Sequence, residues 1–189
     1  KELKEKNIIK KDAIFVNGQS GDFITGNHIP EGIDSSTSSE KIIINKYIFK
    51  HNKYWKKLMT KDQFKIINTL LKNQINKLLS NKISKQRVNM YGLYEALEFH
   101  NRQVKYVING VRNYEYFGFE WRMPLWDYEY LKFWQATHYN NKKKQKLYKT
   151  SILEVNWGGV WSGIPINPQS SIPTFLKIIR FIFKILFNF

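Results

Sequence analysis

"DAIFVNGQSGDFITG", residues 12–26, decides the fold class that this sequence predicts. Residues 12–17 form a short apolar run, which indicates a buried β-strand. Gly18, Gly21 and Gly26 follow among small and polar residues, as is typical of a loop at the carboxyl end of a strand. In open α/β sheets such loops bind ligands, and their backbone N–H groups suit phosphate. The stretch therefore predicts an α/β protein with either a phosphate-binding turn or a purely structural one.

Most of the remaining sequence predicts helices. Thr60 and Gln63 form a T-x-x-Q capping box, after which apolar residues recur at helical spacing. Asp127 is a suitable N-cap for a helix that includes Trp134. The predicted fold class is α/β and mostly helical: one strand and the helical flank of a sheet whose other strands are absent from this sequence. Further helices are predicted over residues 41–59, 90–108, 146–155 and 173–189.

The composition is that of one domain, or a large piece of one. Of the 189 residues, 42% are hydrophobic and 16% aromatic, which is enough for a core. There is no cysteine, so disulfides, thiolate metal sites and a cysteine nucleophile are excluded. The four histidines lack the spacing of metal ligands, which argues against zinc. The sequence starts at Lys1 without a signal peptide, so we expect a cytoplasmic protein that is either the tail of a longer chain or shortened at its N-terminus.

The net charge of +16 suggests a nucleic-acid partner, but the kind of basic residue argues against one. Lysine far outnumbers arginine, and asparagine and isoleucine are also abundant. Codon bias produces that combination as readily as a phosphate-binding surface does. We therefore interpret most lysines as solvated helix faces and expect no nucleic-acid partner.

The C-terminal stretch "PTFLKIIRFIFKILFNF", residues 173–189, predicts a helix with one cationic stripe. Lys177, Arg180 and Lys184 fall at positions i, i+3 and i+7 among apolar residues. The helix is too short to span a bilayer. One interpretation is a terminal helix that docks on the core. The alternative is a peripheral membrane contact, in which the helix lies in an anionic lipid surface.

A second stretch, "YFGFEWRMPLWDYEY", residues 116–130, places two ions among aromatic side chains. Glu120 and Arg122 are two positions apart and are followed by Pro124. Buried ions cost several kcal/mol each unless they are paired or serve a ligand. The stretch indicates a polar site walled by apolar side chains, or else a buried ion pair that only fixes the fold.

The glycine loop and the Glu120 segment together resemble the synthetase domain of the glutamine-dependent asparagine synthetase family. That family has Gly-acid-Gly-small-Asp-Glu after an apolar strand, and residues 18–23 here read Gly-Gln-Ser-Gly-Asp-Phe. The family then has Glu-x-Arg-x-Pro-Phe-Leu-Asp, and residues 120–127 read Glu-Trp-Arg-Met-Pro-Leu-Trp-Asp. Arg112 lies eight positions before Glu120, where the family places an arginine, and residues 146–153 stand where it has a lysine-bearing helix. The resemblance covers roughly residues 12 to 160 and is closest to the branch found in bacterial surface-polysaccharide gene clusters.

The resemblance implies an adenine-nucleotide alpha-hydrolase-like (ATP pyrophosphatase) domain, with its C-terminal part in residues 1–163 and an irregular linker and basic, apolar helix in residues 164–189. The complete enzyme would adenylate a carboxylate with ATP and Mg²⁺, release pyrophosphate, and let ammonia attack the acyl-adenylate. Its partners would be a small carboxylate, ammonia or glutamine, and the upstream part of the same protein.

The resemblance also implies roles for particular residues. Glu120 would be a polar anchor or proton acceptor near the ammonia site. Arg122 and Arg112 would pair with buried carboxylates and fix the wall of the site. Lys146, or Lys144 in another register, would face the anionic intermediate. The phosphates would be held by Gly18, Gln19, Ser20, Gly21 and Asp22, with Asp22 on a Mg²⁺–pyrophosphate complex or, alternatively, capping the next helix.

Several departures from the family pattern leave alternatives open. Gln19 replaces an acid, Phe23 replaces a glutamate, and the lysine is out of register. The serine-glycine-glycine pyrophosphatase loop and the glutaminase nucleophile are expected upstream of Lys1, so this piece alone should be inactive. The alternatives to a ligase are a catalytically altered relative in surface-polysaccharide biosynthesis and a basic module that binds membrane or nucleic acid.

Overall fold

The computed structural model describes residues 2–34, 39–52, 58–80, 90–166 and 173–186. Within them the chain is mostly helical and contains a two-stranded parallel sheet, so the mixed α/β prediction is confirmed at that level. Two compact units are present, Lys1–Tyr148 and Lys149–Phe189. Parts of the predictions over residues 41–59 and 164–189 lie outside the described residues.

The predicted helices are present, and the segment after Met90 is partly π-helical. A π-helix, Glu98–Ile108, continues directly from the end of an α-helix. Single 3₁₀ turns cover Pro124–Trp126, Lys143–Gln145 and Trp157–Gly159. The α-helices are α1 (Glu2–Glu5), α2 (Gly21–Ile24), α3 (Glu40–Asn52), α4 (Lys61–Ser80), α5 (Met90–Leu97), α6 (Asn109–Val111), α7 (Asn113–Tyr116), α8 (Tyr128–Ala136), α9 (Tyr139–Lys142), α10 (Lys146–Val155) and α11 (Thr174–Leu186).

The sheet pairs two strands that are distant in sequence. The predicted strand, β1 (Ile14–Val16), runs parallel to β2 (Glu120–Arg122), which we did not predict. The prediction that this strand is buried is wrong, because Ile14 and Val16 are 51% and 71% exposed. The register places Phe15 opposite Trp121, and Phe15 stacks on Tyr114 with ring centroids 4.4 Å apart. A parallel pair needs a long crossover, and here the helices between the strands supply it.

The larger core lies between α3, α4 and α5, because each presents apolar residues at helical spacing. Thr60 and Gln63 form the predicted capping box at the start of α4: the Thr60 N–H donates to Gln63 Oε1 at 2.9 Å, and the Gln63 N–H donates to Thr60 Oγ1 at 3.2 Å. The best-buried members of this core are Ile33, Ile43, Ile75, Tyr94 and Leu97.

A smaller core lies beside the glycine turn. Phe23 and Ile24 of α2 pack against Trp134 of α8. Asp127 caps α8 as predicted, because its Oδ1 accepts hydrogen bonds from the backbone N–H groups of Glu129 and Tyr130. This cap fixes the direction in which α8 leaves the Pro124–Trp126 turn.

Gly26 is the point where the glycine segment packs most closely on another part of the chain. Its φ of +95° lies in the left-handed region, and a Cβ built there would lie 2.3 Å from the carbonyl oxygen of Lys142. Beside it, the buried Gln145 side chain donates to Thr25 Oγ1. Only glycine fits this position without moving a backbone.

The second unit contains most of α10, the Trp157–Gly159 turn and α11. The terminal helix forms as predicted, with a backbone that is helical from Thr174 to Leu186. Among the described residues, no helix combines the length and the apolar character that a bilayer crossing requires.

We expect Gly26→Ala to lower the free energy of unfolding of the 189-residue chain by more than about 1 kcal/mol, because alanine is strained at positive φ and has no room beside Lys142. Urea unfolding followed by tryptophan fluorescence measures the change. Gly110→Ala is the matched control, since no atom lies within 4 Å of its added Cβ, and we expect it to be neutral or stabilising by up to about 1 kcal/mol. Equal effects of the two substitutions would contradict the close packing at Gly26.

Candidate functional site

The parallel pairing of β1 and β2 places the glycine turn next to the segment that contains Glu120 and Arg122. The Asn17 N–H donates to the Arg122 carbonyl oxygen at 2.9 Å, so the two segments leave the sheet side by side. A Cβ built on Gly21 would lie 2.8 Å from Leu125 Cδ1, which shows how closely the turn approaches the residues after Arg122. The two motifs that the sequence singled out therefore lie together in the fold.

The glycine turn is held by side chains rather than by a regular helix start. The Gln19 N–H donates to Asn17 Oδ1 at 2.8 Å. Ser20 has a left-handed backbone with φ of 70°, and its hydroxyl donates to the buried Gln103 Oε1 at 2.7 Å. The N-cap of α2 is Ser20, so the alternative that Asp22 caps this helix is wrong: Asp22 lies in the first turn, with an exposed side chain.

Glu120 and Arg122 form an ion pair on an exposed face of the sheet. Arg122 Nη2 lies 2.7 Å from Glu120 Oε2, and the side chains are 58% and 67% exposed, respectively. The dry wall expected from the aromatic neighbours is therefore not present within the described residues. An exposed pair of this kind stabilises the fold by less than about 1 kcal/mol, so it does not serve as a structural ion pair.

Arg112 also lacks the buried carboxylate that we expected for it. Its Nε donates to Glu115 Oε2 at 3.0 Å, and both side chains are largely exposed. Trp121 Nε1 donates to the other oxygen of Glu115 at 2.9 Å. The hydrogen bonds from Trp121 and Arg112 lower the pKa of Glu115. Glu115 thus links Arg112 to Trp121, the middle residue of β2. The arginines that were expected to form a buried wall of the site are exposed to solvent.

The lysine nearest to the glycine segment is neither Lys146 nor Lys144. Lys146 begins α10 with an exposed side chain, and the largely exposed Lys144 pairs with Glu31 at 3.2 Å. The buried cation is Lys142, which is 4% exposed and lies 2.8 Å from Glu95 Oε1. Burial raises the pKa of Glu95, although Lys142 opposes the shift. The burial of Lys142 could not be predicted from the sequence, because Lys142 is the first of three consecutive lysines.

Two cavities flank the glycine segment. The larger, about 550 Å³, is of a size that holds a drug-sized molecule, and the indole N–H of Trp134 in its wall is buried without a hydrogen-bond partner. The smaller, about 320 Å³, reaches Asn17 and Gln19 in the turn. Four aromatic side chains line each cavity: Phe23, Tyr91, Phe99 and Trp134 in the larger, and Phe15, Tyr114, Phe117 and Phe119 in the smaller.

The most extensively hydrogen-bonded group near the site is Glu98, in the first turn of the π-helix. Its side chain is fully buried and is bound by residues from three segments of the chain. Oε2 is hydrogen-bonded by His51 Nε2, and Oε1 lies 2.9 Å from His28 Nδ1. Lys50 Nζ and Arg102 Nη1 approach the same Oε1 at 3.3 and 3.4 Å.

This network keeps Glu98 ionised despite its burial. Burial alone would raise the pKa of Glu98, but the hydrogen bonds from His28 and His51 and the charge of Lys50 outweigh it, so the pKa is lowered. Burial, together with the Glu98 charge, raises the pKa of the neighbouring Tyr47 to about 12. Within the described residues, no group of three histidine or acidic side chains is arranged for a metal, and the Lys50 and Arg102 cations on Oε1 would repel one. The residues of the Glu98 network come from three segments that are far apart in the sequence, so no local sequence pattern predicted the network.

No protein-family model, no curated protein and no solved structure compared with this chain matches it.

We expect Glu98→Gln to lower the free energy of unfolding by about 3 kcal/mol at pH 7, because it removes a buried negative charge that is bound by Lys50, Arg102 and two histidines. The pKa of Glu98 is lowered from an ordinary value of 4.5, so this stabilisation is complete above about pH 4.5 and is lost as the pH falls toward the lowered pKa. The difference between wild type and variant should therefore shrink in urea titrations below pH 4.5.

Glu129→Gln is the matched control, since this exposed glutamate lies 3.9 Å from Lys132 and should contribute less than about 1 kcal/mol at any pH. A Glu98→Gln variant as stable as Glu129→Gln at pH 7 would show that the network does not stabilise the fold.

Proposed function

We propose that this chain is the C-terminal portion of an ATP-dependent, amide-forming ligase of the asparagine synthetase type. The observation that supports the proposal is the parallel pairing of β1 with β2, which places the turn from Gly18 to Asp22 beside Arg122 at the carboxyl end of β2, two residues after Glu120. In open α/β sheets, ligands bind beyond the carboxyl ends of neighbouring parallel strands. Two motifs of one predicted site are thus neighbours in the fold, although about a hundred residues separate them in the sequence.

In the proposed reaction, a carboxylate oxygen of the substrate attacks the α-phosphorus of ATP, and pyrophosphate leaves. Ammonia then attacks the acyl carbon, and AMP leaves with the acyl oxygen. The turn from Gly18 to Asp22 would bind the pyrophosphate, and the exposed Asp22 carboxylate would hold its Mg²⁺, since Mg²⁺ is commonly bound by one or two carboxylates and the phosphates themselves. Glu120 would accept the proton that the attacking nitrogen loses, and Arg122, 2.7 Å away, would hold that carboxylate in place.

The exposed face of the sheet is consistent with a site that a further part of the protein completes. Ile14 and Val16 lie on the same face as Glu120 and Arg122, and they are 51% and 71% exposed. Parallel strands are normally covered on both faces. We propose that the upstream part of the same protein covers this face and supplies the pyrophosphatase loop. Excluding water there would strengthen the interaction between Glu120 and Arg122.

A second candidate function is a catalytically altered relative that acts in surface-polysaccharide biosynthesis. Phe23, which replaces the family's glutamate, is buried against Ile24 and Trp134, so no carboxylate is available at that position. If Lys149 is aligned with the arginine that follows the family's lysine, Gln145, four positions earlier, occupies the place of that lysine. Gln145 is buried and hydrogen-bonded to Thr25. These two positions lack the ions that the family places there.

Pyrophosphate release from ATP tests the proposal. The complete protein, assayed with Mg²⁺, ammonia or glutamine, and a panel of small carboxylates, should release pyrophosphate with at least one carboxylate. Glu120→Gln should lower the rate of amide formation from ammonia by about 100-fold or more, because a positioned proton acceptor in the ammonia step contributes roughly that factor. Glu129→Gln, the same substitution in the first turn of α8, should leave the rate unchanged.

The 189-residue chain alone should release no pyrophosphate. If the complete protein also releases none with any carboxylate, the altered relative is the better interpretation. If pyrophosphate is released but Glu120→Gln is as active as wild type, the role assigned to Glu120 is wrong.

A further inference from the structure

Helix α11 separates charged from apolar residues around its axis. Its backbone is helical over 13 residues, from Thr174 to Leu186. With about 100° of rotation per residue, positions 177, 180 and 184 fall within one stripe roughly 60° wide. All three are basic, and neither aspartate nor glutamate occurs between Thr174 and Phe189. The rest of the circumference is apolar apart from Thr174.

The apolar side of α11 is exposed. Seven described large apolar residues on the helix are between 41% and 64% exposed. Such a concentration of exposed phenylalanine, leucine and isoleucine is far more than isolated surface residues would give, and it indicates a contact surface. These residues are Phe175, Leu176, Ile178, Ile179, Phe181, Ile182 and Phe183.

We propose that α11 binds an anionic lipid bilayer by lying in the plane of its surface. At about 1.5 Å per residue the helix is roughly 20 Å long, which is less than the roughly 30 Å hydrocarbon core. Lying flat, it places its apolar side among the acyl chains and its basic stripe at the headgroups. A wide apolar side with a narrow basic stripe is the pattern of interfacial helices.

Charge selects the bilayer over a protein partner. The helix has three basic residues and no acidic one, and the whole chain has a net charge of +16. A second copy of this chain would bring a like charge to the contact, and that repulsion opposes self-association. An anionic bilayer supplies both the apolar environment and the countercharge, and each basic residue near its surface is worth roughly a five-fold gain in binding.

Co-sedimentation of the 189-residue chain with vesicles tests the proposal. Binding to vesicles of phosphatidylcholine with phosphatidylglycerol should be strong and should weaken with added salt, and binding to phosphatidylcholine alone should be at least tenfold weaker. Ile182→Gln, at the middle of the apolar side, should lower binding by about tenfold or more, because it withholds a large apolar side chain from the bilayer. Arg180→Gln should lower binding by about five-fold.

Lys72→Gln is the matched control for charge, since this exposed lysine lies on α4 and not on α11. If it weakens binding as much as Arg180→Gln does, the overall charge and not α11 is responsible, and the proposal is wrong. The proposal is also wrong if Ile182→Gln binds vesicles as well as wild type does. A third contradicting result is self-association through α11: analytical ultracentrifugation would then show an oligomer for wild type and a monomer for Ile182→Gln. Circular dichroism of each variant confirms that the chain is folded.

Discussion

The buried carboxylate of Glu98 is the interaction on which the arrangement of the first unit depends. An ionised carboxylate without partners would cost several kcal/mol in this position, so the segments that bind it are tied to the π-helix. One turn further along the same helix, Gln103 binds Ser20 of the glycine turn. Residues five apart point about 140° away from each other in an α-helix. The wider π-helical turn brings Glu98 and Gln103 nearer to one side, where both reach the segment between Ser20 and His28.

A second carboxylate on the same helical segment fixes the other side of the glycine segment. Glu95 pairs with Lys142, whose backbone carbonyl oxygen is the group that Gly26 approaches. Glu95 and Glu98 are one turn apart but have different partners. Several hydrogen-bond donors and cations around Glu98 lower its pKa. Burial raises the pKa of Glu95, because one cation, Lys142, does not offset the loss of solvation. The segment from Ser20 to His28 therefore contacts the partners of two buried carboxylates, Glu98 and Glu95. Buried charges fix its position together with apolar packing.

The sequence predicted the features that a few neighbouring residues determine. The Thr60–Gln63 capping box, the Asp127 cap, strand β1 and the terminal helix are local, and each is present. Strand β2 was missed because Glu-Trp-Arg is short and charged and has no apolar alternation, and it becomes a strand only by pairing with β1. The Glu98 network and the Lys142–Glu95 pair were missed for a related reason. Their members are ordinary helix or loop residues, and the burial that gives them their properties arises only from tertiary contacts.

Glu120 and Arg122 lie in the positions that the candidate site requires, but because both are exposed to water they lack the electrostatic environment of a closed site. The fold already pairs Glu120 with Arg122, which lies next to the glycine turn, and Gln103 of the π-helix also holds that turn. An ion pair in water is weak and is screened by salt, whereas the same pair in a water-excluded cleft interacts several-fold more strongly at the same distance. The described residues therefore provide the geometry of a site, but not the water-excluded environment of low dielectric constant that would strengthen its ion pair. Whatever covers the face formed by Ile14, Val16, Glu120 and Arg122 would change the electrostatics of the site while leaving the backbone that carries it in place.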